Sequence, residues 1–402
     1  MRKILIFIAA FMTIGFGSNA LAVEADVLGG VSIHGFISQG FLMSHEYNYL
    51  SHNSRTGSFE YNEMGINFSK QVADKLRIGV QIFSRDLGNV ANNKVTIDWA
   101  YADYKWQDWL GIRAGKLKMP VGIFNETRDI DMLRTCIVMP QSLYPELMRD
   151  VSIALNGVGL YGYVPIGPAG SLDYVGIVGS MGIDNESGVE KYMNSTLTGT
   201  PLAMNGDIDA DTAITGRIKW NTPLSGLGLS ANMLKFKAVM PLFYDTGNPL
   251  TSFSTAMEMD QMIYGIGVEY IWENLSLAGE YRISDVDSTL FGTTTNKKAE
   301  NYYVMASYRF NDWFELGSYY SISYADKDDR YGDNVVETAT RKDHSAWQKD
   351  LALSARFDIN SNWIFKVEGH KVNGTSNVLA VDNTDRSEKD WYYGAAKLTF
   401  SF

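Results

Sequence analysis

The sequence predicts an all-β protein, a transmembrane antiparallel β-barrel of sixteen strands with short periplasmic turns and long extracellular loops. Three observations predict it. Apolar residues recur with period two through most of the chain, and the connections alternate strictly between short and long. No stretch beyond residue 22 approaches the roughly eighteen apolar residues that a spanning helix needs.

The barrel is expected over residues 23–402, because residues 1–22 read as an export signal. Arg2 and Lys3 precede a mostly apolar run from Ile4 to Phe16, and Ala20-Leu21-Ala22 fits the small-x-small cleavage pattern. A cleaved leader and a spanning barrel together imply the cell outer membrane. Without Arg2 and Lys3, 33 basic side chains face 46 acidic ones, a formal charge of −13. That balance argues against nucleic acid, whose phosphates need a basic face. Cys136 is the only cysteine, which rules out an intramolecular disulfide, a haem-attachment pair and a Cys-based zinc cluster. His34, His45, His52, His344 and His370 are scattered and read as lumen or loop residues. The sequence therefore calls for no cofactor and no metal.

Alternation is clear in several segments. Leu76, Ile78, Val80 and Ile82 face one way and Arg77, Gly79 and Gln81 the other; Met262 to Trp272 and Trp363 to Val367 repeat the pattern. A soluble sandwich would alternate too, so the class is decided by the connections. Short turns are expected near 71–75, 107–109, 166–170, 222–226, 272–274, 310–313 and 359–362. Long polar loops are expected near 43–57, 85–94, 116–151, 180–211, 237–260, 284–299, 324–346 and 371–390. Fifteen connections make sixteen strands, with both termini at the short-turn end. Trp106, Trp109, Trp220, Trp272, Trp313 and Trp363 sit at or beside the short turns, where an interfacial aromatic girdle belongs.

In the last strand Tyr392, Gly394, Ala396, Leu398, Phe400 and Phe402 share one face, and Ala395, Lys397, Thr399 and Ser401 the other. A lysine facing lipid at mid-membrane would cost roughly 2–4 kcal/mol, so the aromatic set faces out and Lys397 faces in. Pairing with Val31 to Leu42 removes the open edge. One place breaks the pattern: Asp98 and Asp103 have opposite parity, which a bulge or a register change must absorb.

Three segments resemble known proteins. Val31-Ser32-Ile33-His34-Gly35-Phe36-Ile37-Ser38-Gln39-Gly40 resembles the first strand of many bacterial outer-membrane porins. Gly115-Lys116-Leu117-Lys118-Met119-Pro120-Val121-Gly122 resembles the Gly-Lys-x-Lys-x-Pro-Phe-Gly run of the phosphate-selective porin O/P group and of DcaP-like trimeric porins, with Val121 in place of the aromatic residue. Lys397 to Phe402 looks like the aromatic terminal signal read by the barrel-assembly machinery, with Phe400 and Phe402 as its anchors. The resemblance implies a sixteen-stranded porin, a homotrimer and an inward-folded third loop; it does not imply phosphate.

The function expected is passive diffusion of small hydrophilic solutes or ions through a water-filled channel bounded by outer-membrane lipid. Read from strand faces, the lumen carries Arg77, Arg113, Arg217, Lys219, Arg282, Arg309, Arg356, Lys366 and Lys397. Against them stand Glu63, Asp173, Glu269, Glu280, Glu315 and Glu368, so the balance leans mildly toward anions, with Arg77, Arg113, Arg217, Arg309 and Arg356 as the leading basic residues. The outer loop 180–211 is acidic instead. The loop at 116–151 combines apolar residues with Lys116, Lys118, Arg128 and Arg134, and with Glu126, Asp129 and Asp131. Exposed apolar residues need cover, so this loop is expected to fold inward, its charges lining a constriction while Phe124, Met132 and Leu133 pack on the wall. Two other classes are open to such a barrel. A barrel sheath for a redox or other envelope partner finds no haem-binding residues, and a barrel enzyme finds no Ser-His-acid signature, so no catalytic residue is expected.

Overall fold

The computed structural model describes residues 24–25, 29–183 and 187–402; the expected leader over 1–22 and residues 184–186 of the acidic loop lie outside the described residues. Sixteen long strands follow one another: β1 (Val31–Ser44), β2 (Asn62–Ala73), β3 (Leu76–Asp86), β4 (Thr96–Gln107), β5 (Leu110–Lys118), β6 (Ala154–Pro165), β7 (Ser171–Ile183) and β8 (Ile208–Asn221). The second half holds β9 (Leu227–Tyr244), β10 (Phe253–Trp272), β11 (Leu275–Leu290), β12 (Thr293–Asn311), β13 (Phe314–Tyr324), β14 (Trp347–Asp358), β15 (Trp363–Gly374) and β16 (Asp390–Ser401). Each pairs antiparallel with its sequence neighbour, and β16 closes on β1 with Phe400 opposite Ile37 and Lys397 opposite Gly40. Closure satisfies every strand edge within the sheet, which a lipid-facing backbone requires.

Polarity is inverted relative to a soluble protein. On β10 the exposed side chains are Met262, Tyr264, Ile266 and Val268, whereas the opposite face carries Gln261, Gly265 and Glu269. On β16 Tyr392 and Phe402 are exposed while Lys397 and Thr399 are buried. Trp106, Trp109, Trp220, Trp272 and Trp313 are all exposed at the short-turn end. An apolar skin around a polar interior is stable only if the outside is hydrocarbon.

The parity conflict in β4 has a specific resolution. The β3–β4 register steps from Gln81 opposite Trp99 to Ile82 opposite Ile97, so Asp98 is the extra residue of a bulge. The bulge turns Asp98 inward, where it pairs with Arg149 at 2.8 Å. Asp103 keeps its inward face and meets Arg113 at 3.0 Å.

Two expected loops prove to be mostly strand. Residues 245–252 alone separate β9 from β10, and the two residues Phe291–Gly292 separate β11 from β12. These four strands hold 18, 20, 16 and 19 residues. A tilted strand crosses a bilayer in about 9–11 residues, so their ends project beyond it. Above the membrane both faces meet water, and the outer face turns polar: Lys237 pairs with Asp260 at 3.4 Å and Lys298 with Asp285 at 2.8 Å. That polar composition is what reads as loop. In the β11–β12 turn Phe291 has φ 52° and Gly292 φ 76°, the pair of positive values that a tight hairpin of this twist uses. Phe291 stacks edge-on against Tyr244 and Phe253, contacts that offset its backbone strain.

Candidate functional site

The connection from β5 to β6, residues 119–153, is the longest segment outside the barrel strands. It forms four short helical turns and no strand. Its partners are side chains on the polar inner face of strands spread around the ring. Three polar groups anchor it, while Met119 and Val121 pack in one apolar cluster with Leu155, Ile177 and Met181 of β6 and β7.

The first lies on β13 to β16. Glu368 accepts hydrogen bonds from the backbone N–H of Ile137 (2.7 Å) and Val138 (2.9 Å), and from the Ser354 hydroxyl (2.5 Å). His370 is fully buried, with Nε2 2.8 Å from Glu368, Nδ1 3.0 Å from Asp350, and its ring stacked on Tyr393 at 3.8 Å. Both ring nitrogens face carboxylates, the arrangement of a doubly donating imidazolium. Ile137 and Val138 pack among Leu42, Tyr49, Trp391 and Tyr393. Nearby, Asp131 receives Lys366 (3.0 Å), Lys397 (3.2 Å) and Thr399 (2.9 Å), and Lys397 also bonds Glu63. Burial raises the Asp131 carboxyl, but Lys366, Lys397 and Arg134 outweigh it and hold the group well below the usual carboxylate range. Arg356 donates to the Met132 carbonyl at 2.5 Å, and Thr135 bonds Glu315.

The second group is on β11 and β12. Glu280 accepts from Tyr144, from Tyr303 at 2.7 Å and from the Ile123 N–H at 3.0 Å, while Arg282 donates to the Leu143 carbonyl. The third is on β3 and β4. Arg85 reaches Glu146 and Asp150 at 3.3 Å each, Arg128 meets Glu146 at 3.2 Å, and Arg149 lies 3.9 Å over the Phe83 ring. Burial pushes the Glu146 carboxyl up, but Arg128, Arg85 and Arg149 prevail and bring it down to about 2.

The residues expected at a constriction are therefore only partly brought together. Arg128, Asp129 and Asp131 are buried in ion pairs. Arg134 donates to the Arg128 carbonyl at 2.6 Å and flanks Asp131 at 3.7 Å. Lys118 pairs with Asp129 at 2.6 Å and Glu126 with Arg217 at 2.6 Å, both half-buried at the edge of the loop. Lys116 stays apart: it shares a strand face with exposed Ile112, and its ammonium bonds the Ile97 carbonyl. Phe124 packs with Tyr144, whereas Leu133 is exposed.

Of the basic wall residues, Arg113 pairs with Asp103, Arg217 with Glu126, Arg309 with Glu315 and Asp358, and Arg356 with Asp358. Arg77 donates to the Ser69 hydroxyl at 3.0 Å. Sequence reasoning missed the Asp350–His370–Glu368 cluster, because neither strand signals the pairing until β14 and β15 are set in register, Ala352 opposite His370. The cluster contains a serine, and Ser354 donates to Glu368 and not to the imidazole. Phe400 and Phe402 lie at the seam: Phe402 exchanges two backbone hydrogen bonds of 3.0 Å with Gly35, and its ring lies where a Gly35 side chain would stand.

Between these anchors, the loop leaves a gap against part of the wall formed by β4 to β7. A cavity of about 270 Å³ separates them, lined by Trp99, Tyr101, Arg113, Lys118, Glu126 and Tyr161 with apolar wall residues behind.

No protein-family model matches the sequence, and no curated protein sequence matches it. Solved structures do share the architecture. The outer membrane channel DcaP of Acinetobacter baumannii is 12% identical, with a TM-score of 0.56 over 96% of this chain and 99% of that one. An anion-selective porin from Comamonas acidovorans is 10% identical, with a TM-score of 0.56 over 92% and 99%. In vitro folded OmpT of Vibrio cholerae, in its trimer form, is 10% identical, with a TM-score of 0.55 over 92% and 99%. At such identities the likeness establishes the fold: a closed sixteen-stranded barrel of the bacterial porin type.

Proposed function

We propose that this chain is an outer-membrane channel through which small hydrophilic solutes and ions diffuse passively. The observation that carries the reading is the inverted polarity of a closed barrel, apolar outside and charged within. In this reading residues 1–22 are removed on export, the barrel-assembly machinery engages Phe400 and Phe402, and homotrimers work in the lipid of the cell outer membrane. The OmpT relative, whose trimer form is known, supports the assembly.

Residues 119–153 are the constriction. Anchored on β3, β4, β8 and β11 to β16 and packed on β6 and β7 through Met119 and Val121, the segment narrows the lumen and leaves the recess beside β4 to β7 open. Charge selectivity is weak, because the inner bases are mostly neutralised by carboxylates 2.5–3.5 Å away. Among the described residues Arg77 and Arg282 face inward without a carboxylate in ion-pairing distance, and against them stand Asp173 and the buried Glu280 without a base, so any lean toward anions is mild.

Planar-bilayer recording tests the reading. The intact protein should form steady pores with a reversal potential displaced slightly toward anions. Deleting residues 123–145 should raise single-channel conductance severalfold in a barrel that still inserts. A barrel that inserts without conducting overturns the channel; unchanged conductance after the deletion overturns the constriction.

A further inference from the structure

We infer that the recess between the loop and β4 to β7 is a binding site for one ring of an uncharged polyhydroxylated solute, a neutral sugar. The inference rests on the channel reading and names a solute class for it.

The recess is floored by aromatic faces. Trp99 and Tyr101 lie side by side with centroids 5.4 Å apart and planes inclined by 36°. Tyr161 lies across the recess with the Arg113 guanidinium 4.1 Å over its ring. Neighbouring glycines keep two of these rings against the wall. A side chain at Gly79 would meet Trp99 at 2.9 Å, and one at Gly111 would collide with Tyr161. Arg113 covers Tyr161 and also lies 5.4 Å over Tyr101, so the face left to the C–H side of a saturated ring is that of Trp99, with Lys118 at 5.8 Å beside it.

The charges that line the recess are paired. Arg113 is bonded to Asp103 at 3.0 Å, Lys118 to Asp129 at 2.6 Å, and Arg217 to Glu126 at 2.6 Å. Asp103 also accepts from the Tyr161 hydroxyl at 2.5 Å. Three bases and three acids are matched in pairs, with Arg77 of β3, opposite Asp103, as the base left over, and an anion approaching Arg113 or Lys118 meets a carboxylate already in place. A hydroxyl has no such conflict. It donates to Glu126 and accepts from Lys118 or Arg113 without displacing a pair, because hydroxyls carry both functions. The cavity of about 270 Å³ suits one ring and not an extended chain.

Two sugars of one ring shape separate the possibilities: D-glucose, uncharged, and D-glucuronate, which differs by one carboxylate. Binding to detergent-solubilised protein by equilibrium dialysis measures the site whether or not the pore conducts; conductance block in bilayers measures it in the channel. Glucose should bind saturably and glucuronate at least about fivefold more weakly. Trp99→Leu should weaken glucose by about fivefold, Trp99→Phe by less, and Trp272→Leu, on the outer face, not at all. Tighter binding of glucuronate overturns the neutral class. Absence of saturable glucose binding to a folded, heat-modifiable barrel overturns the site, while a barrel that binds glucose but never conducts refutes the channel and leaves the site standing.

Discussion

Replacing Glu368 by Gln tests how the third loop is held. The carboxylate is surrounded by donors alone: the N–H groups of Ile137 and Val138, the Ser354 hydroxyl and the His370 Nε2. A carboxamide of the same size has one oxygen, so whichever way it turns, its NH2 faces donors. Oε2 serves Ile137 and Ser354 while Oε1 serves Val138 and His370, so one backbone N–H of the loop is orphaned in either orientation. A buried orphan costs about 1–3 kcal/mol, and the surviving bond loses its charge assistance, about 1 kcal/mol more. The docked loop should weaken by about 3 kcal/mol, or about a hundredfold in its open fraction. Hydrogen–deuterium exchange over residues 135–142 reads this directly, with gel mobility of unheated protein as the check that the barrel persists. Exchange within about threefold of the unmodified protein, in an intact barrel, would refute the assignment of Glu368 as an anchor.

Two further perturbations address the seam and the third anchor. Phe402→Asp places a charge where the ring covers Gly35 and should reduce folded barrel in the membrane at least several-fold, measured by the unheated band on gels. Glu146 is held near 2, against an ordinary 4.5, so its pairing with Arg128 and Arg85 contributes about 3 kcal/mol at neutral pH. A lowered carboxyl stabilises above its ordinary value and loses that contribution as pH falls from about 4.5 through about 2. Exchange over residues 144–152 should therefore quicken across that window while barrel strands stay protected, and Glu146→Gln should remove the pH dependence.

The barrel was legible because its signals are local. Period-two alternation and turn chemistry belong to neighbours in sequence, and Lys397 alone sufficed to orient β16, since lipid excludes a charge so strongly. The projecting ends of β9 to β12 were not legible: the sheet outlasts the bilayer, and polar residues on both faces look the same in a loop and in a water-exposed ribbon. The loop's length and apolar content flagged it. What each charge does there was hidden, because Asp131 meets Lys366 and Lys397 only after residues 235 and 266 positions away close the ring. A charge in an apolar loop thus marked the segment out and left open whether it faces solute or an ion pair.

The pairing itself follows from burying an apolar loop in a charged lumen. Ile137, Val138 and Met139 gain roughly 1.5–3 kcal/mol each by leaving water, but their backbone must leave with them and the wall beneath carries charge. The wall supplies what the backbone needs: Glu368 takes two N–H groups, Lys366, Arg282 and Arg356 take the carbonyls of Asp131, Leu143 and Met132, and Asp131 neutralises the lysines left over. Removing one partner of such a set leaves a buried charge unpaired, so the anchors stand or fall as groups. On β5 to β7 the loop's first residues, Met119 and Val121, pack in one apolar cluster with Leu155, Ile177 and Met181, but the wall around the recess itself offers Arg113, Tyr161 and small or apolar residues and no carboxylate. The charge pairs that fix the loop elsewhere do not recur around that recess, and the gap left there lies beneath Trp99, Tyr101 and Tyr161.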